Sequence, residues 1–297
     1  MKTVVAVVLT YNGRDQAIDC LRSLGESDWP QLRRVLVDNA STDDAAATVA
    51  HEFPDVEIVR APTNRGYAGG NNLGFAQALA GPCDHVFVLN DDTLVDPEAI
   101  RHLVNAMSGG VGAAAPLITY EAARDRVWYA GATYDPRRLH PGSMIGYRQR
   151  VGGIRARTTT DRFSGAAVLI PRPVLEAVGG FDESLHFLYE DVDLSLRIRA
   201  AGLSIVFEPQ AIVHHKVAMT QGGEHSPTSF YYGIRNQLVV ADRHAPAPAF
   251  RRTLRSLAAV GIHVKRLSHA GDRRSSARAL WAGLRDYRRG RLGAWSE

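Results

Sequence analysis

Two carboxylates stand side by side at the end of an apolar run: residues 86–89 read Val-Phe-Val-Leu, and Asn90, Asp91 and Asp92 follow. Adjacent carboxylates repel each other. The usual remedy is a divalent cation, because hard oxygen ligands suit Mg2+ or Mn2+. The carboxyl end of a strand is also where open α/β sheets bind ligands. Asp, Asn and the nearby Pro97 equally favour a plain turn, so the junction alone leaves both readings open. A second acidic group, Glu190, Asp191 and Asp193, follows Gly180-Phe181-Asp182-Glu183. If a helix starts at Asp191, its carboxylate and that of Glu190 lie at the N-terminus, where the helix dipole stabilises them by roughly 0.3–1 kcal/mol. That position also suits a general base within reach of an acceptor hydroxyl. Glu190 and Asp193 would then orient the base or bind the acceptor, and Arg197 is spaced for an i,i+4 ion pair with Asp193.

Three further constellations bear on chemistry. Residues 64–74, Asn64-Arg65-Gly66-Tyr67-Ala68-Gly69-Gly70-Asn71-Asn72-Leu73-Gly74, are dense in glycine and open a helix. Glycine allows close approach of backbone to ligand, and a helix N-terminus favours phosphate. Neither the dinucleotide fingerprint nor a Walker loop can be read from this segment, and a tight loop with packing glycines is the bland alternative. Thr10, Tyr11 and Asn12 offer an aromatic plane and polar groups, and Asp38 either accepts from a base N–H or caps the next turn. His214 and His215 end a short apolar stretch; histidine is a frequent metal ligand, although an isolated pair is more often structural.

Over the first 120 residues strands and helices alternate. Strands are expected over 4–9, 34–37, 56–60 and 86–89, and helices over 15–24, 43–53, 69–80 and 97–107. This pattern implies βαβ units and a mainly parallel sheet, with four polar strand ends along one edge. Residues 111–160 look irregular, with 142–160 a loop or hairpin. A strand over 163–170, a short helix over 173–178 closed by Gly179-Gly180, a helix over 191–201, a strand over 203–207 and a helix over 230–244 complete the reading.

The net charge of +4 conceals an asymmetry: residues 243–297 hold 13 Lys/Arg against 3 Asp/Glu, so the rest of the chain is acidic. An acidic body argues against nucleic acid as the main partner. In the tail, Phe250, Leu254, Leu257, Gly261, Val264 and Leu267 share a helical face among Arg251, Arg252, Arg255, Lys265 and Arg266. Leu280, Trp281, Leu284 and Tyr287 repeat the pattern among arginines. Basic amphipathic helices suit an anionic membrane surface; packing on the body or on the second subunit of a homodimer is the alternative. Cys20 and Cys83 lack metal-type spacing and fit reduced cytosolic thiols. No signal peptide and no run of about 20 apolar residues is read, so a cytoplasmic protein, peripheral at the inner membrane face if the tail binds lipid, is expected.

The segments VVLTYN, VDNASTD, NRGYAGGNNLGF, LNDDTLVDP, GGFDESLHFLYEDVDLSLR and PQAIVHHK occur in the order found in family-2 glycosyltransferases. The chain resembles that family over roughly residues 3–240, and within it the rhamnosyltransferase-like branch. The resemblance implies a GT-A fold over 1–220, a mainly parallel mixed sheet flanked by helices, with a helical region over 221–297. It also implies inverting, metal-dependent transfer of a sugar, L-rhamnose or a similar one from a dTDP or UDP donor, to a hydroxyl of a glycan, glycolipid or secondary-metabolite acceptor. Asp92 matches the metal position of the D-x-D element, with Asn90 standing where the family has its first Asp. Asp191 matches the catalytic base and Asp38 the base-recognising Asp, with Thr10 and Tyr11 beside the nucleobase. Asn12, Asn64, Gly66, Gly70, Asn71 and Asp91 belong to the nucleotide-sugar side. His215, rather than His214, fits the histidine that completes the shell of Mg2+ or Mn2+. Tyr231-Tyr232-Gly233-Ile234-Arg235-Asn236 matches the family's YY..RN segment. A sugar nucleotidyltransferase would need a basic glycine-rich loop after the first strand, which is missing. A non-catalytic nucleotide-sugar-binding protein is the other rival, and the retention of Asp92, Asp191 and His215 weighs against it.

Overall fold

A computed structural model describes residues 2–154, 156–217 and 225–295. Its first part is the expected alternation: β1 (Val4–Thr10), α1 (Arg14–Gly25), β2 (Leu32–Asp38), α2 (Ala45–Glu52), β3 (Glu57–Arg60), α3 (Gly66–Leu79) and β4 (His85–Asn90). These strands are parallel neighbours in the order β4-β1-β2-β3. Every residue of β1 is buried, as its unbroken apolar run requires for a strand covered on both faces.

Beyond β4 the sheet becomes mixed. The elements are β5 (Thr93–Val95), α4 (Ala99–Ala106), β6 (Val111–Tyr120), β7 (Ala123–Tyr129), β8 (Ala132–Tyr134), β9 (Gly142–Met144), β10 (Thr158–Thr159), β11 (Ala167–Pro171), α5 (Arg172–Val178), α6 (Glu190–Ala200) and β12 (Ser204–His215). The main sheet runs β10-β12-β6-β11-β4-β1-β2-β3, with β5 on β12 and β7 on β6, while β8 and β9 pair apart. β11 lies antiparallel between β4 and β6, so it starts where β4 ends. β12 pairs antiparallel with β5, His215 opposite Thr93.

Several elements depart from the sequence reading, the unexpected strands β5, β7 and β8 among them, and two bear on the centre of the sheet. Residues 111–120, expected to be irregular, form the central strand β6. Its Ala113-Ala114-Ala115-Pro116 lacks the β-branched residues that mark strands, but small side chains are what the site demands. A Cβ on Gly112 would lie 2.5 Å from Ile198 Cγ2 of α6. The strand expected over 203–207 runs on to His215, its pairing with β6 shifting register between Glu208 and Ile212. A proline in that stretch, Pro209, made the strand look finished.

Helix α3 lies unusually close to the sheet because its glycines face it. A Cβ on Gly74 would overlap Val7 Cγ1 and approach Val37 Cγ2 to 3.0 Å. Overpacking of this kind costs about 1–3 kcal/mol. Gly74→Ala is therefore expected to lower the midpoint of urea unfolding with an unchanged slope.

The C-terminal helices are α7 (Pro227–His244), α8 (Ala249–Leu267) and α9 (Arg273–Arg288). α7 is buried along most of its length and packs on α9. α8 is inverted: its buried positions include Arg255, Ser256 and His263, while Phe250, Leu254, Leu257 and Val264 are exposed. His263 Nε2 lies 3.2 Å from Gln237 Oε1, and burial pushes its imidazole down to about 3. An unfolded histidine titrates near 6.5. Between those values the unfolded chain binds a proton that the folded chain refuses, so stability is complete above pH 6.5 and falls as pH drops. The loss at pH 5 is on the order of 2 kcal/mol. Thermal melting of His263→Gln should depend less steeply on pH between 6.5 and 5 than that of the parent chain.

Candidate active site

The carboxyl ends of β4, β1 and β2 meet the N-terminus of α3 around one cleft. Tyr11, Asn39, Asn64, Gly66, Tyr67, Asn90 and Asp91 line one side, and His186, Phe187, Thr228 and Tyr232 the other. Asn39 ties the first side together. Its Oδ1 accepts from Arg65 N (2.9 Å), and its Nδ2 donates to Asn64 Oδ1 and to Gly66 O, each at 3.1 Å. Asn64 Oδ1 also accepts from Gly66 N at 2.8 Å. Gly66 has φ +69°, and a Cβ there would lie 2.6 Å from the His186 ring, so glycine is needed for backbone and space alike.

The other residues that the sequence assigned to the nucleotide-sugar side support this wall. Asp38 is buried and accepts from Ser41 N (2.8 Å), shaping the turn after β2. Asn12 Oδ1 accepts from Thr42 N (2.8 Å), joining the turns after β1 and β2 at the rim. Gly70 presses on Leu9 and Asn39. Asn71 is fully buried; its Nδ2 donates to Tyr67 O (3.0 Å) while its Oδ1 has no partner. Thr10 is buried, and a Cβ on Gly13 would overlap Asp91 Oδ2.

At the acidic junction Asp91 and Asp92 are both buried. Burial, then the charge of Asp92, pushes the Asp91 carboxyl up to about 7. Burial also opposes ionisation of Asp92, but hydrogen bonding and charge from His215 outweigh it and hold that carboxyl below its ordinary value. His215 Nε2 lies 3.0 Å from Asp92 Oδ1, its Nδ1 has no partner, and Trp128 packs edge-on against the ring. Side chains alternate along a strand, so His214 faces away, with Nδ1 2.6 Å from Thr119 Oγ1 and Nε2 3.1 Å from Asp96 Oδ1. The β12–β5 register thus brings His215, and not His214, to Asp92.

The second acidic group sits at the start of α6. Asp191 Oδ1 accepts from Val192 N (2.7 Å), Oδ2 accepts from Gly165 N (3.2 Å), and Arg162 Nη1 is 3.9 Å from Oδ2. Gly165 O in turn accepts from the hydroxyl of Tyr67 (2.6 Å), a cleft residue. Asp191 is therefore one residue and two hydrogen bonds from the cleft wall. Glu190 is buried beside it with Oε2 unpartnered; burial, then the charges of Asp191 and Asp193, drive its carboxyl well above the ordinary range. Asp193 is spoken for: Oδ2 accepts from Arg197 Nε and Oδ1 pairs with His244 Nε2, both at 2.7 Å. It fastens α6 to α7.

The segment leading into α6 is strained. His186, Leu188 and Tyr189 have φ of 65°, 65° and 73°, a region that non-glycine residues rarely occupy. Two buried side chains of α7 hold it. Asn236 Nδ2 donates to Leu185 O, Phe187 O and Leu188 O at 2.9, 2.9 and 2.7 Å, and Arg235 Nη2 donates to Leu185 O at 3.0 Å. The guanidinium of Arg235 lies over the rings of Tyr231 and Tyr232.

The profile of Glycosyl transferase family 2 matches residues 5–174. An N-acetylglucosaminyl-diphospho-decaprenol L-rhamnosyltransferase of Mycobacterium tuberculosis is 30% identical, the match covering 92% of this chain and 95% of that one. The chain belongs to glycosyl transferase family 2. A poly-beta-1,6-N-acetyl-D-glucosamine synthase of Staphylococcus epidermidis is 24% identical over 72% of this chain and 50% of its own. A mannosyltransferase from Pyrobaculum calidifontis, solved with GDP-Man and Mn2+, superposes with a TM-score of 0.60 at 19% identity over 97% of this chain and 83% of that one. This family-2 enzyme is thus a glycosyltransferase with the GT-A fold, as its motifs suggested.

The donor atoms in this family-2 site suit a divalent cation. A carboxylate oxygen and an imidazole nitrogen, buried and 3.0 Å apart, are spaced as two neighbouring ligands of an octahedral shell about 2.1 Å in radius. Among the described residues no group of three His, Cys, Asp or Glu surrounds such a point. That agrees with Mg2+-type sites, which rely on one or two protein ligands plus phosphate and water. Asn39, Tyr67, Gly165, His186 and Tyr232 were not singled out as site residues from the sequence. All but Gly165 lie within the quoted motifs, but their places in the cleft depend on contacts between distant segments.

Proposed function

We propose that the chain transfers a sugar, with inversion, from a nucleotide-diphosphate donor to a hydroxyl of a lipid-diphosphate-linked glycan. The observation that carries this reading is the Asp191–Gly165–Tyr67 relay. It fixes a carboxylate at a helix N-terminus beside a cleft built from glycine-rich backbone and acidic strand ends. L-Rhamnose and a polyprenyl-diphosphate-linked acceptor are supported by the mycobacterial relative's named activity, and a dTDP or UDP donor is the expectation carried over from the sequence motifs.

In this reading the Tyr11 ring, Asp38 and the Asn39–Asn64 frame hold the nucleoside, and the α3 N-terminus at Gly66 receives the diphosphate. Asp91 lies near the ribose or the donor sugar. Asp92 and His215 would hold Mg2+ or Mn2+, which when bound supplies positive charge against the departing diphosphate. Asp191 removes the proton of the acceptor hydroxyl as its oxygen attacks the anomeric carbon opposite the leaving group. The peptide N–H groups of Gly165 and Val192 keep that carboxylate aimed, and Glu190, favoured in its neutral form, adds no second charge.

The test is a panel of UDP-, dTDP- and GDP-sugars with Mn2+ and a polyprenyl-diphosphate-linked acceptor, scoring released nucleoside diphosphate together with glycosylated lipid. In a separate arm with nucleoside triphosphates and sugar 1-phosphates, release of pyrophosphate would indicate a nucleotidyltransferase, and donor binding without turnover a binding protein. With the productive donor, His215→Ala should raise the Mn2+ concentration needed for half-maximal activity at least about tenfold, whereas His214→Ala should leave it unchanged. Equal effects would remove the distinction drawn from the β12 register.

A further inference from the structure

We infer that the outward stripe of α8, together with Trp281 of α9, is a face by which the chain lies on an anionic lipid bilayer. The stripe is built from Phe250, Leu254, Leu257 and Val264, which are 65%, 47%, 64% and 49% exposed. Their spacing places them on one side of the helix. An amphipathic helix normally turns this side to the protein core; here it cannot, because polar bonds lock the opposite side inward. Arg255 is buried, its Nη1 donating to Ala245 O at 2.7 Å and to Ala241 O at 3.3 Å, and His263 meets Gln237. Rotating α8 to bury the leucines would break these contacts and take from Ala245 O and Gln237 the partners they have, so the apolar side is held outward.

The stripe continues onto α9. A groove between the helices is floored by Val260 and Leu284 and flanked by Leu257 and Trp281, the indole 57% exposed. Exposed apolar surface of this extent marks a docking site, and the surrounding charge selects the occupant. Arg251, Lys265, Arg278, Arg285 and Arg288 are exposed around it, in a segment with 13 Lys/Arg against 3 Asp/Glu. Apposing a second copy of this face would set these cations against each other. Lipid phosphates complement them, and arginines beside an apolar stripe with tryptophan are the pattern of a helix lying in a bilayer interface. Among the described residues no helix is long and apolar enough to cross a membrane, so the helix lies in the plane of the surface. This surface is independent of the transfer reaction and would stand if the donor or acceptor assignment failed.

The test is co-sedimentation of the full chain with vesicles of phosphatidylglycerol and phosphatidylcholine, against phosphatidylcholine alone, in a low-salt buffer. Most of the protein should pellet with the anionic vesicles and little with the neutral ones. Leu254→Glu/Leu257→Glu should weaken binding at least about tenfold without changing thermal melting, because both side chains are exposed. Failure to pellet with anionic vesicles, or equal binding by the double variant, would overturn the proposal. Light scattering that shows a dimer abolished by the double variant, without vesicle binding, would assign the stripe to a second copy and likewise overturn it.

Discussion

Asp191→Asn is expected to slow sugar transfer by about 10²–10⁴-fold while donor affinity stays unchanged. The substitution keeps the shape of the side chain and an oxygen able to accept from Val192 N, so α6 still starts where it did. What is lost is the basic oxygen: an amide cannot take the acceptor proton at neutral pH. Turnover with saturating acceptor and calorimetric titration with donor alone separate the two effects. A parallel loss of donor binding would give Asp191 a structural or donor-binding role. Unchanged turnover would move the base elsewhere, and Glu190, whose carboxyl is driven upward by burial and its acidic neighbours, is a poor substitute because its charged form is disfavoured.

Asn236→Ala should be the most damaging change outside the cleft. One side-chain amide serves three carbonyls of residues 185–188, and its two hydrogens are shared among them. Losing it removes the side-chain donor from the part-buried carbonyls of Phe187 and Leu188, while Leu185 O keeps Arg235, at a cost of about 2–4 kcal/mol. The left-handed backbone at His186, Leu188 and Tyr189 would also lose part of its restraint. Melting temperature should fall by several degrees. In the protein that remains folded, kcat should fall more than KM for the donor rises, because the carbonyl ladder fixes the start of α6 and hence Asp191. Melting at the parent temperature would show that Arg235 and the surrounding packing suffice.

How much was legible in the sequence follows from how local each signal is. Acidic residues at strand ends and helix starts are local, so Asp91, Asp92 and Asp191 stood out at once, as did the four parallel strands. Pairing across 123 residues is not local: Asp92 and His215 meet only through the β12–β5 register, and the motif order of the family supplied that pairing. Relays through peptide groups, such as Gly165 between Tyr67 and Asp191, leave no pattern in composition. The β6 strand was hidden because its run of small residues, with Gly112 pressed against Ile198 of α6, lacks the β-branched residues that signal a strand. The amphipathic pattern of α8 was plain, but its direction was not. Which side faces inward was decided by Arg255 and His263, residues that look like surface positions until Ala245 and Gln237 are seen opposite them.

The anomeric configuration of the product tests the central claim most directly. With a donor of defined configuration, the one-bond carbon–proton coupling at the anomeric centre of the glycosylated acceptor reports whether the new bond formed in one displacement. Direct attack by an oxygen deprotonated at Asp191, opposite the departing diphosphate, predicts complete inversion. A product with retained configuration would require a second displacement or attack on the leaving-group face, and would contradict the role assigned to Asp191.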